Sequence, residues 1–560
     1  MTLTLRKLWP THAAHQHPTC SPSDPAAIAV TAAVVLAFAS AALAQSAVLS
    51  PQPGLNAAAC TTNNPFLVPA HVGNIPLVRA DPELAVGPCH VVSITNSGIR
   101  TFDKGGLPGA LNKPLYTQLQ PPPPGPSGFW EPVSTPMFLD TVFDPEVYYD
   151  QWTGRFWAVA SELDATTFAG FDNWYIALAV TQGSDPNGSW WFYRIKMTGV
   201  VPFFSDVDQA NLAVDAERVY LSVYATSQSG LRGVVLSKAP LLNGPNAVIV
   251  PNASELLAPV VPGEHAQFAL KFGPSDGTPQ YFIGHDAAAD VAAERLFFRA
   301  IVTNQTPPTW VEGALGVAPY SRPTSAPQPG TSVRLDTNFD VNFLASAVYR
   351  NGHVWAVHGV RIPGSSDPDR SVVRWYTIAP NGWPNSGYAP TIVGTGVLNV
   401  PSGVYSYWPS IAVDALGNAA ITFNVSGSAQ YVSMWRALKC VSESQFRPPV
   451  SVIDGQAPVA SGNWGDYSGT EPDPSAASLF YSHHHIPDGS GATTTNWKSW
   501  VTRWPFDCGL DVDGDGLTTT SDMMSFMTLW QQSAPQADYH GDGAVNVQDL
   551  LAFQIDLYGG

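Results

Sequence analysis

The chain has 560 residues, 26 basic against 44 acidic side chains, and a formal net charge of −18. That charge excludes nucleic acid as a partner, because phosphate binding needs a basic footprint. Only 12% of residues are charged while 18 are Trp, a balance that suits an exported all-β protein better than a cytosolic enzyme.

The first element is apolar. Ala26 to Ala42 is a run of small residues, followed by Ala42-Leu43-Ala44 before Gln45. This predicts a signal peptide over residues 1–44, cleaved before Gln45, leaving no membrane span and a secreted or cell-surface protein. Residues 45–80, rich in Ala, Asn and Pro, read as an extended lead-in. From Asp81 to Asp507 one pattern repeats: a β-branched strand, a tight polar turn, and a second strand. Tyr407–Gly427 shows it most plainly, with its turn at Asp414–Asn418. The others are Val86–Gly106, Phe143–Glu162, Ser205–Ala225, His265–Asp286, Asn338–Val360 and Gly462–His485, spaced 55 to 73 residues apart. One hairpin plus one or two outer strands per period predicts four-stranded blades and an all-β propeller of seven blades. Six blades with a stray hairpin would give the same rhythm. Leu119–Pro132 and Asn304–Gly330, both Pro-rich, read as surface loops. After signal removal Cys60, Cys89, Cys440 and Cys508 remain. An even number in an exported chain predicts two disulfides, with three pairings open and neighbours around the ring cheapest to close.

Within the ring three groups invite a chemical reading. Trp464, Asp466 and Tyr467 are candidates for contact with a carbohydrate ligand, against the plainer reading of a blade core with Asp466 holding a turn. His483-His484-His485 reads as a solvated loop, because adjacent histidines on a strand end point in different directions. Ser184-Asp-Pro-Asn-Gly-Ser-Trp190 and Asn463-Trp-Gly-Asp-Tyr-Ser468, with the blade rhythm, resemble the sialidase-like (BNR or Asp-box) propellers of exported bacterial proteins. That resemblance implies either a ligand-binding ring or, alternatively, a glycoside hydrolase with three Arg, a Tyr–Glu pair and an Asp. The nearest matches are Arg361 in Val360-Arg-Ile-Pro363, and Glu146 beside Tyr148 and Tyr149.

The tail is a separate acidic module over residues 508–560. Asp511, Asp513, Asp515, Leu517, Thr519 and Asp522 occupy positions 1, 3, 5, 7, 9 and 12 of a calcium loop, with Gly516 at the turn. A second set is Asp538, His540, Asp542, Ala544, Asn546 and Asp549, with Gly543 at position 6. A hard cation wants six to eight oxygens, and alternate residues of a turning loop point inward together. Each loop leads into an apolar helix. The pair resembles a dockerin type I module, whose loops also end in Asp. The resemblance implies Ca²⁺ and a cohesin-like or cell-surface partner, met through Thr520-Ser521 and Val547-Gln548 at loop positions 10 and 11. His540 and Val547-Gln548 depart from the family pattern, so the second loop is expected to be the weaker.

Overall fold

The computed structural model describes residues 66–74, 79–115, 128–133, 141–163, 174–197, 200, 207–225, 230–258, 266–273, 277–285, 293–337, 346–365, 367, 369–441, 443–476, 478–489, 493–505, 510, 512, 519–534, 537, 539 and 544–559. The chain divides into residues 1–50, all outside that set, and 51–560, which hold everything below.

Seven antiparallel sheets make a seven-bladed β-propeller. Their innermost strands are Glu83–Val86, Thr141–Asp150, Val207–Val214, Ala266–Phe268, Ser346–Arg350, Val404–Val413 and Gly469–Pro472. The strands form because β-branched and aromatic residues fill both faces of each blade, so that neighbouring blades bury one another. Between the second and third blades, Trp157, Ile176 and Leu178 pack against Leu212, Val219 and Leu221, all at most 1% exposed. Burying one such side chain contributes roughly 1.5–3 kcal/mol. The core is thus spread over the blade-to-blade seams. Two blades gain a fifth strand in parallel, Ala247–Ile249 beside Trp190–Lys196 and Leu270–Lys271 beside Ser346–Arg350.

Six of the seven expected hairpins are the inner pair of a blade. The first is not. Val86–Gly106 holds the second and third strands, His90–Thr95 and Gly98–Asp103, while the inner strand is Glu83–Val86. Four residues after an Asp-Pro are too few to show alternation. Phe66–Asn74, placed by its composition in the lead-in, is the outermost strand of the last blade and runs antiparallel to Asn496–Pro505, from Phe66↔Arg503 to Asn74↔Asn496. The start of the described chain therefore closes the ring.

The three histidines lie in the strand Leu479–Pro487 and are at most 1% exposed, which corrects the solvated loop. They do diverge. His483 bonds the Glu83 carbonyl and Ser499, whereas His484 bonds Thr422 of the sixth blade. Burial of the rings drives their pKa values down, His483 to about 4 and His485 to about 3. Cys89 and Cys440 are each in a disulfide; Cys60 and Cys508 lie outside the described residues. In the tail, helices Thr520–Gln531 and Val547–Gly559 pack through Phe526 and Phe553, stacked at 4.0 Å between ring centres. Among the described residues no helix is long and apolar enough to cross a membrane.

Candidate functional site

The innermost strands carry a recurring defect at the end where they enter the ring. In the second, third and sixth blades the pairing slips by one residue, between Phe143 and Glu146, Asp208 and Asn211, and Tyr407 and Ser410. Each slip holds a non-glycine residue with positive φ: Asp144 at 51°, Gln209 at 51° and Trp408 at 49°. Asp81, two residues ahead of the first blade's inner strand, matches them at 45°. Such backbone is costly for a side chain with a Cβ and least so for Asp. A bulge of this kind re-aims side chains, and here it brings carboxylates from several blades together on the ring axis.

The carboxylates are tied across the seams. Asp81 Oδ1 accepts from the backbone N–H of Asp466 at 3.0 Å, and its Oδ2 from the Asn96 amide at 2.5 Å. The same Asn96 accepts from the Asp144 N–H at 2.9 Å. Asp144 Oδ2 accepts from Gln209 N–H at 3.1 Å, and its carboxyl is bonded to that of Asp208. Arg79 donates to Asn463 and to Asp466 Oδ2. Asp466 Oδ1 has no partner. Asp81 is buried, while Asp144, Asp208, Asp466 and Arg79 are partly open.

Crowding sets the charges. Burial, then repulsion from Asp208, holds the Asp144 carboxyl well above the ordinary carboxylate range. Burial and Asp81 push Asp466 up as well, against the pull of Arg79. Burial also raises Asp81. In each case burial penalises the charged form, so the proton is held more tightly than in the unfolded chain. Gly465 places Asp466 because no other residue fits: a Cβ there would lie 2.7 Å from the His485 ring. Deeper along the axis Glu83, Glu146, Glu471, Gln267, Ser346, Ser410 and Thr470 surround a cavity of about 30 Å³, room for one or two waters. Burial raises Glu146 to about 7, and its Oε2 accepts from Leu212 N–H at 2.9 Å.

Of the expected ligand contacts, only Asp466 is partly exposed. Trp464 is 1% exposed and stacked on His485 at 4.3 Å, and Tyr467 is 6% exposed, so neither ring offers a face to solvent. The Tyr–Glu pair does not form, because the Tyr148 hydroxyl donates to the Lys271 carbonyl at 2.5 Å. Arg361 bonds Ser321 at a strand end. The Asp185 turn is structural as expected: Asp185 caps Asn187 N–H at 2.9 Å, and Trp190 Nε1 donates to the Pro186 carbonyl at 3.0 Å.

In the tail, Thr519, Asp522, Ala544, Asn546 and Asp549 are described; Asp511, Asp513, Asp515, Leu517, Asp538, His540 and Asp542 lie outside the described residues. Asp522 and Asp549 are fully buried. Asp522 turns back into its loop, accepting from Val512 N–H at 2.7 Å and Thr519 N–H at 2.8 Å. Asp549 accepts from Asn546 N–H at 2.8 Å. Thr520, Ser521, Val547 and Gln548 open the two helices, and Val547 is 56% exposed. Among the described residues no three His, Cys, Asp or Glu groups are arranged to hold a metal ion, the axial aspartates included.

No family model and no curated protein matches the chain. Solved structures do resemble it. They include a Trypanosoma rangeli sialidase in complex with the inhibitor DANA (10% identity, TM-score 0.30, 83% of this chain and 63% of that one). Others are the Hadza microbial sialidase Hz136 (10%, 0.35, 76% and 65%) and an endo-arabinase from Bacteroides thetaiotaomicron (13%, 0.29, 68% and 98%). The site's chemistry is therefore read from its own geometry.

Proposed function

We propose that the ring is a carbohydrate-active propeller whose entrance-end aspartates hydrolyse a glycosidic bond. One observation carries this: burial pushes both carboxyls up, but Asp466 is opposed by a cation, Arg79, and Asp144 is crowded by Asp208 instead, so Asp466 is the one that ionises first. Two neighbouring carboxyls ordered in this way divide into acid and base. Asp144 gives its proton to the glycosidic oxygen as that bond breaks. Water attacks the anomeric carbon and passes a proton to the Asp466 carboxylate, leaving a hemiacetal and an alcohol. Asp81 and Asp208 position the pair.

Asp144→Asn is expected to lower hydrolysis at least about 100-fold, the usual worth of a general acid. Wild-type activity should fall as pH rises through the Asp144 pKa, because the proton to be donated is then gone. Release of reducing ends from a polysaccharide panel, with aryl glycosides alongside, is the measurement. A wild type that cleaves none of them ends the proposal. A second reading, a ring that only binds glycans, draws on the same seam-bridging hydrogen bonds; there Asp144→Asn would lower the melting temperature without any turnover to lose.

We further propose that the chain is exported and docked through a calcium-dependent tail resembling a dockerin. Asp522 and Asp549 are buried and folded back into their loops, where an ion held by the other loop oxygens would meet them. Bound calcium would neutralise carboxylates that otherwise repel, coupling metal binding to folding. The apolar core of the tail is small, and at free calcium 100 times the dissociation constant each site would add about 2.7 kcal/mol. Asp511→Ala should therefore expose the helices to protease in the full chain more than Asp538→Ala does, since loop one has four carboxylates and loop two three. Cleavage within Met523–Trp530 that ignores a chelator would refute this.

A further inference from the structure

At the opposite end of the axis from the aspartates lies a second, preformed cavity of about 330 Å³. It is built where inner strands leave the ring, from the turns after Asp150 and Val214, and from the outer turns at Asn304 and Asn385. We infer that it is a binding site for a neutral saccharide, independent of the entrance-end chemistry.

Three observations support this. The walls are fixed before any ligand arrives. Gln151 clamps Gly273 through both amide atoms, at 2.5 and 3.0 Å, and Asp215 holds its turn through Glu217 N–H and Arg218 N–H, both at 2.8 Å. A volume of this size suits a small ligand, and a preformed site avoids the cost of ordering loops on binding.

The charges in the lining are matched in number, and each already has a partner. Arg218 pairs with Glu217 at 3.1 Å, Lys271 donates to the Thr278 carbonyl at 2.7 Å, and Asp215 accepts from the Tyr220 hydroxyl at 2.7 Å. With two acids and two bases the cavity has no net charge for an anion or a cation to answer.

What remains for a ligand is aromatic surface and amide. Trp152 and Phe272, both partly exposed, line the cavity, with the buried Tyr349 behind them. Asn304 and Asn385 are exposed at its rim, and neither side-chain amide has a partner among the described residues. An aromatic wall takes the C–H face of a sugar ring, and paired amide donors and acceptors take adjacent hydroxyls.

The test is calorimetric titration of the full chain with cellobiose, xylobiose and lactose, and with glucuronic acid and glucosamine as charged counterparts. At least one neutral disaccharide should bind saturably. Replacing both rim amides (Asn304→Ala with Asn385→Ala) should weaken that affinity at least about 10-fold with an unchanged melting temperature, because both residues are exposed. Asp144→Asn should leave the affinity intact, so loss of the entrance-end site and loss of this one are told apart. Trp152→Ala should weaken binding further; if it unfolds the ring, the rim double variant still decides. Absence of saturable binding by every neutral disaccharide overturns the inference. So does unchanged affinity in the rim double variant, or equal affinity for the charged sugars.

Discussion

Raising the pH from 6.5 to 9 is expected to destabilise the ring by at least about 1 kcal/mol, the share of Glu146 alone. The groups responsible are the buried carboxyls Glu83, Glu146, Glu471, Asp144 and Asp466, all raised first by burial. A carboxyl whose folded pKa lies above its unfolded value binds its proton more tightly in the folded chain. Its stabilisation is complete below the unfolded pKa and is lost as pH rises through the folded one. For Glu146, with a folded value of about 7, the share lost above pH 6.5 is about 1 kcal/mol. Those raised further lose up to about 1.4 kcal/mol per pH unit. The histidines act in the opposite sense and lower down. His483 and His485 are buried neutral, so the unfolded chain takes up their protons first as pH falls below 6.5, and stability drops toward their folded values near 4 and 3. Maximum stability should therefore fall between about pH 4.5 and 6.5. Urea midpoints from pH 4 to 9 are the measurement, and Glu146→Gln should flatten the alkaline side. A midpoint that stays level or climbs from 6.5 to 9 contradicts the assignment.

Removing residues 45–74 from a chain that begins at Gln45 should destabilise the ring, because the last blade loses seven ladder pairings with Asn496–Pro505 and the packing of Ala70 against Leu84, Val501 and Tyr481. The last blade would then end in Asn496–Pro505, a long edge rich in Trp and open to pairing with another chain. Ala70→Asp is the point version. Ala70 is 1% exposed against Leu84, Val501 and Tyr481, and an unpaired carboxylate there is strongly destabilising. Light scattering during refolding reads the edge, and urea unfolding reads the loss. A truncated chain as stable and as soluble as the intact one would mean that the ring is held shut by its side-chain seams alone.

The blade rhythm was legible because strands such as Ala419–Gly427 alternate and their turns are short and polar. The first blade escaped because its inner strand has four residues, and the closing strand because pairing across the whole chain leaves no local mark in Phe66–Asn74. Of the axial cluster only Asp466 could be singled out. Asp144 and Asp208 sit at bulges, which break the period-two pattern that a strand search follows, and Asp81 lies ahead of its strand. One signal was present: Asp-Pro-Glu occurs at 81–83 and again at 144–146, at the same point of two successive blades. The histidine run misled because three consecutive polar residues suggest a loop, yet each ring found a bond or a stacking partner on one or other face of the strand. The tail showed itself through spacing alone, since a calcium loop is a local motif.

A strand made first and used last imposes a schedule on synthesis. Phe66 pairs with Arg503, so more than 400 residues must be added before its partner exists. At roughly 5–20 residues per second, that is a wait of about 20 to 90 s. Throughout it the strand must avoid pairing with each half-built blade as it emerges. Its own sequence helps: Pro69 cannot donate to a ladder, and the register slip between Pro69 and Val72 makes it a poor match for a regular edge. The same irregularity that spoils it as a general-purpose strand reserves it for the one edge shaped to receive it.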